Sequence, residues 1–175
     1  MKPLAGKRVV MIIARNRFRD EEYAEPRKAL EEAGASVTVA SSSLETAEGM
    51  LGMKVKPDML IGKVKEGDFD GIVFVGGGGA KEYFDDPHAQ ALARSFCERK
   101  KLTSAICIAP AILANAGVLT GKKATAFPSS TGALTAHGAV LSGTAVAADG
   151  NIVTGVGPEA AREFGKKLVD VLEHS

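Results

Sequence analysis

Cys107 stands in Ala105-Ile106-Cys107-Ile108-Ala109-Pro110, between a β-like apolar run and the helix-prone Ala111-Ile112-Leu113-Ala114. A thiol on a strand-to-helix turn needs small residues two positions to either side, because the backbone there is strained and its flanks approach closely. Ala105 and Ala109 meet that requirement, and Pro110 suits a first helical turn. The free N–H groups of that helix end would favour the thiolate, so the pattern predicts a reactive thiol of lowered pKa. The plain alternative is a small buried hydrophobe, the common state of a free cysteine. Cys97 is read that way. It falls on the stripe Ala89, Leu92, Ala93, Phe96, Cys97 of a helix predicted over 87–101, with no helix end to activate it.

Glu22 is the second candidate, in Phe18-Arg19-Asp20-Glu21-Glu22-Tyr23-Ala24-Glu25-Pro26. On a helix it shares a face with Pro26, Ala29, Leu30 and Ala33, whereas Glu21, Glu25, Lys28 and Glu32 share the polar face. Pro26 cannot donate a backbone hydrogen bond, so the helix is expected to start near Tyr23 or to kink, leaving Glu22 in the loop or first turn. Both put it at the carboxyl edge of the sheet, where Cys107 also emerges. A carboxyl half-buried beside a thiol would have a raised pKa and could move a proton to and from it. The alternative is an acid placed at a helix start for its charge alone.

Gly76-Gly77-Gly78-Gly79 follows a predicted strand with no phosphate-loop lysine and no dinucleotide fingerprint. Its bare backbone could bring the Gly77 N–H beside that of Ile108 as an oxyanion hole, or it could be only a flexible loop. Arg15, Arg17 and Arg19 could hold a substrate carboxylate or phosphate, or be solvated. Of the three histidines, His137, before Gly138 at a predicted helix end, is the possible base; such a residue is commonly structural. No metal-ligand cluster is present, and no cofactor is expected.

These residues need a frame that brings distant turns together. Apolar runs over Lys7 to Ala14, Ser36 to Ala40, Gly71 to Val75 and Thr103 to Ile106 alternate with helical patterns, which predicts strands of a parallel sheet buried on both faces. Between Ser41 and Lys56 the helical period fails, predicting a long loop or small hairpin before Asp58 caps a short helical turn. Asp149-Gly150 predicts a hairpin between Thr144 to Ala148 and Asn151 to Thr154. Gly157-Pro158 opens a last helix with Ala161, Phe164, Leu168 and Leu172 inward.

The chain has 175 residues, 45% hydrophobic and 25% charged, enough for one domain over 1–175 with a sizeable core. Twenty-two basic against 21 acidic residues give +1, so no bulk field argues for nucleic acid or a membrane as partner. No apolar run approaches the roughly 20 residues of a membrane span, and no secretory signal is evident, so a cytoplasmic protein is expected. Two cysteines make no disulfide framework.

Glu22 with Pro26 four residues on, Val75-Gly76-Gly77, Ala105-Ile106-Cys107 with Pro110, and Ala116-Gly117-Val118-Leu119 leading to Gly121-Lys122-Lys123-Ala124-Thr125 resemble, nearly end to end, the ThiJ/PfpI superfamily of intracellular protease I and the parkinsonism-associated protein deglycase. The resemblance implies an α/β, flavodoxin-like doubly wound sandwich with a mostly parallel sheet, similar to class I glutamine amidotransferases. It also implies Cys107 on a nucleophile elbow with Glu22 hydrogen-bonded to it, and a homodimer or higher homo-oligomer. Two positions depart from it: Ile108 stands where protease-type relatives carry a histidine, and Phe127 where deglycase-type relatives carry one. Peptide hydrolysis needs a proton donor for the leaving amine, so the expected activity is a cofactor-free glyoxalase or deglycase acting on small reactive carbonyl compounds. The alternatives are a stress-response sensor in which Cys107 is oxidised, and a PfpI-type protease, amidase or isonitrile hydratase-like hydrolase.

Overall fold

The computed structural model describes residues 1–175. In chain order the first half comprises β1 (Arg8–Ile12), β2 (Asn16–Phe18), α1 (Asp20–Glu32), β3 (Ser36–Ser41), β4 (Ala47–Gly49), β5 (Lys54–Val55), β6 (Met59–Leu60), β7 (Gly71–Phe74) and α2 (Pro87–Glu98). The second half comprises β8 (Leu102–Ile106), α3 (Pro110–Asn115), β9 (Lys123–Ala124), α4 (Thr131–Ala136), β10 (Val140–Leu141), β11 (Val146–Asp149), β12 (Ile152–Gly155) and α5 (Ala161–Glu173).

The main sheet has the order β11-β12-β8-β7-β1-β3-β6, parallel except for β11 against β12. Its inner strands are apolar on both faces because helices cover both: α1 and α5 pack together, while α2 and α3 form a second pair that also lies on β8. Hydroxyls buried in the sheet are satisfied: Ser104 Oγ donates to the Ile72 carbonyl at 2.8 Å, and Thr154 Oγ1 accepts the Thr125 N–H at 2.9 Å. The chain winds from β1 outward to β3 and then returns to β7 on the other side of β1, so β1 and β7 flank the switch point, where such sheets bind ligands.

Two expectations are corrected and a third is extended. Helix α1 starts at Asp20, not near Tyr23, and runs on through Pro26, while Glu22 stands in its first turn as expected; Pro26 removes only its own bond to the Glu22 carbonyl, and packing on α5 holds the rest. Asp58 caps no turn: its carboxylate accepts the Val39 N–H at 2.8 Å, and the 3-10 turn Ile61–Lys63 has no side-chain cap. Segment 41–56 is the predicted small hairpin, β4 with β5, but β4 also pairs with the unforeseen strand β2.

Candidate active site

Cys107 leaves β8 with φ +66°, a left-handed conformation that costs a residue bearing Cβ roughly 1–2 kcal/mol. Hydrogen bonds on both sides hold it there. Its N–H donates to the Gly155 carbonyl of β12 at 2.9 Å, and its carbonyl accepts the Phe127 N–H at 2.8 Å. Ala105 and Ala109 are fully buried, as the close approach of the two flanks requires, and Ala109 leads directly into α3. Ile108 is fixed by Ser130 Oγ, which reaches its carbonyl at 3.4 Å. This is the strand-to-helix elbow read from the sequence.

Glu22 is fully buried. Neither carboxyl oxygen has a well-directed hydrogen-bond partner, and the polar group against them is the Cys107 thiol. Gly76, at the end of β7, makes the meeting possible: a Cβ there would stand 2.6 Å from both Cys107 Cβ and the Ile106 carbonyl oxygen and would collide with Glu22 Oε1. Its carbonyl accepts the Arg19 N–H at 2.9 Å, tying the end of β7 to the entry of α1. The backbone N–H groups of Gly77 and Ile108 are close enough to the Cys107 sulfur to favour its charged form. The structure therefore brings together Cys107, Glu22, Gly77 and Ile108.

Burial pushes the Glu22 carboxyl up to about 8; the thiol and Arg19 oppose the rise, and the charges of Glu21 and Glu159 add to it. Burial and the Glu22 charge push the Cys107 thiol up to about 12, with the Gly77 and Ile108 N–H groups pulling the other way. This corrects the expected lowering. Helix α3 has only six residues, too short for a strong terminal field, and the sulfur has lost most of its water.

His137 is not part of this arrangement. It caps the end of α4, exposed, with Nδ1 2.9 Å from the Ala133 carbonyl, whereas the Cys107 elbow adjoins the start of α4 through Phe127 and Ser130. Arg19 is committed to Glu21 by two bonds of 3.0 Å. Tyr83 is also committed: its hydroxyl donates to the Ile13 carbonyl at 2.7 Å and accepts the Ser42 N–H at 3.0 Å. The broad groove between α1 and α5, lined by Glu25, Lys28, Glu32, Arg162 and Lys166 among others, includes neither Cys107 nor Glu22.

Two neighbours escaped the sequence reading. Asp20 is buried and accepts the Leu51 and Met53 N–H groups at 3.0 and 2.9 Å, pinning the β4–β5 hairpin beside the site; Met50 of that hairpin reaches the Gly78 N–H with its sulfur at 3.5 Å. Glu159 follows β12 and, with Phe127, lies against Gly157. The acid at the start of α1 was visible, but its partner N–H groups are 31 and 33 residues away. Glu159 carried no signal beyond its place after Gly157-Pro158.

The site is thus a thiol on a strained elbow at the carboxyl end of an inner strand, beside a buried carboxyl. Residues 7–171 match the DJ-1/PfpI family model, and the chain belongs to that family. It is 31% identical to deglycase PH1704 of Pyrococcus horikoshii over 94% of this chain and 99% of the relative. The crystal structure of a ThiJ/PfpI domain protein from Brachyspira murdochii superposes with a TM-score of 0.94 at 33% identity, covering 97% of this chain and 99% of that one. An oxidized Toxoplasma gondii DJ-1 superposes with a TM-score of 0.85 at 34% identity, covering 95% and 91%. The fold is thus the flavodoxin-like, class I glutamine amidotransferase-like sandwich expected from the sequence. No helix is long and apolar enough to cross a membrane.

Proposed function

We propose that the protein is a cofactor-free glyoxalase- or deglycase-type enzyme that acts on small reactive carbonyl compounds through Cys107 and Glu22. The observation that carries this reading is the Glu22 carboxyl, fully buried, raised to about 8 and left with the thiol as its polar neighbour. A structural acid would be paired or solvated; this one is kept ready to hold or release a proton. The similarity to a deglycase supports the choice of carbonyl substrates.

The two groups carry their protons jointly. When the pair holds one proton, the Glu22 carboxylate takes it from the thiol as the sulfur attacks the aldehyde carbon of an α-oxoaldehyde, and Glu22 hands it on to the carbonyl oxygen. The Gly77 and Ile108 N–H groups, on the side of the sulfur, are available to the oxygen on which charge develops, two bonds from that sulfur. Glu22, now a carboxylate, removes the hydrogen from that carbon and returns it to the neighbouring carbon, while the hydroxyl proton passes between the two oxygens. The adduct becomes a thioester of the 2-hydroxy acid. Water then breaks the C–S bond, giving its hydroxyl to the acyl carbon and its proton to the pair. The sum is aldehyde plus water to 2-hydroxy acid, with no oxidant and no cofactor consumed. Conversion of methylglyoxal to lactate in chelator-treated buffer tests the reading; a purified protein that forms no lactate contradicts it.

A second reading, an oxidation sensor, draws on the same cradle. The Gly77 and Ile108 N–H groups and a protonated Glu22 suit a sulfinate on Cys107, formed from the thiolate by two peroxides that each deliver one oxygen and leave as water. The raised thiol pKa works against this, because the thiolate is the form peroxide attacks. Peroxide titration with mass spectrometry of the Cys107 peptide tests it: sulfinate at stoichiometric peroxide supports the sensor, and an unmodified thiol contradicts it.

A further inference from the structure

We propose that Arg17 recognises an anionic group on whatever enters the Cys107 site, so that the favoured substrates are short α-oxoaldehydes carrying a carboxylate or phosphate. The substrate class rests on the carbonyl-enzyme reading above; the anion recognition rests on geometry alone.

Arg17 is the extra residue of a β-bulge. Asn16 opposes Glu48 and Phe18 opposes Gly49, so β2 spends two steps where β4 spends one. It has φ +61°, left-handed, where glycine would be cheaper. Bulges of this kind re-aim a side chain, and strained non-glycine backbone concentrates at functional sites. The only other left-handed residues with a Cβ are Lys100 and Cys107 itself.

The strain has a direction. Arg17 Nε and Nη2 both lie 3.5 Å from the point a Gly78 Cβ would occupy, two residues beyond the Gly76 whose own Cβ would stand 2.6 Å from Cys107 Cβ. The glycine loop packs closely on this strand end: a Cβ on Gly77 would stand 2.6 Å from the Arg17 carbonyl oxygen, and one on Gly79 would strike that of Asn16. The Arg17 guanidinium joins no ion pair and makes no side-chain hydrogen bond, whereas Arg19, two residues on, is consumed by Glu21. A free planar fork of donors at the rim of a thiol site is suited to a carboxylate or phosphate.

Across the site the sign reverses. Cys107 follows β8, which lies between β7 and β12. Arg17 stands on the β7 side and Glu159 on the β12 side, against Phe127 and Gly157. A substrate with an anionic tail would place it toward Arg17 and away from Glu159, which orients the aldehyde as well as binding it.

The test compares alkylation of Cys107 by iodoacetate and iodoacetamide, reagents that differ in the carboxylate, read by mass spectrometry of the Cys107 peptide so that Cys97 does not count. In Arg17→Gly, which also relieves the positive φ, the iodoacetate-to-iodoacetamide rate ratio is expected to fall about fivefold, as for a partly exposed ion pair. Arg17→Lys should keep part of it, and added salt should shrink the difference. In turnover of a carboxylate-bearing α-oxoaldehyde such as 4,5-dioxopentanoate, Arg17→Gly should raise KM about fivefold more than it does with methylglyoxal. An alkylation ratio that Arg17→Gly leaves unchanged overturns the proposal. A changed ratio in a protein that turns over neither aldehyde overturns the carbonyl-enzyme reading and upholds anion recognition.

Discussion

Glu22 and Cys107 meet across the bare α-carbon of Gly76, where a Cβ would stand 2.6 Å from Cys107 Cβ and collide with Glu22 Oε1. One comes from the first turn of α1 and the other from the end of β8, and their contact depends on a third strand end having no side chain. Gly76→Ala should therefore abolish methylglyoxal turnover and cost about 1–3 kcal/mol in a urea denaturation midpoint, as overpacking does. Full activity in that variant would show that the pair does not need this contact.

The raised Glu22 pKa fixes how stability depends on pH. The folded protein holds the proton up to about 8, whereas the unfolded chain releases it near the ordinary 4.5. Between those values the native state binds more protons, so this group makes stability fall as pH rises through that window. In Glu22→Gln the fall should vanish. Urea midpoints of the two proteins at pH 5, 7 and 9 check it: the wild type should lose ground to the variant by a few kcal/mol between pH 5 and 9.

Asp20 holds the hairpin. Asp20→Ala leaves the Leu51 and Met53 N–H groups without their acceptor and should cost about 1–3 kcal/mol. Amide exchange of those two residues should accelerate in the variant, while that of β1 and β8 should follow only the global loss.

His137 faces solvent at the far end of α4. His137→Ala is expected to leave methylglyoxal turnover unchanged and to shift stability by no more than about 0.5 kcal/mol, as surface substitutions do. A tenfold loss of turnover would return the histidine to the site.

Much of this arrangement was legible in the sequence because its causes are local. The apolar runs give β1, β3, β7 and β8, and the alanines flanking Cys107 give the elbow. The inward face of Glu22 follows from its spacing to Pro26 and Leu30. What escaped depends on contacts between distant segments. The Asp20 carboxylate spends itself on a hairpin about 30 residues on, which no helical period encodes. The rise of the thiol pKa was hidden because a helix end is visible in sequence, whereas the depth of burial that outweighs it is not. The bulge at Arg17 exists only once β2 finds β4.

The central claim is that Cys107 and Glu22 act as one proton-sharing pair on a carbonyl carbon. The most direct measurement is lactate formation from methylglyoxal by wild type, Cys107→Ala and Glu22→Gln side by side, in chelator-treated buffer, with folding of each confirmed by circular dichroism. The account predicts lactate from the wild type and at least a hundredfold loss in both variants, the low end of what positioned acid–base catalysis contributes. Lactate from Glu22→Gln at the wild-type rate, or from Cys107→Ala, would contradict it.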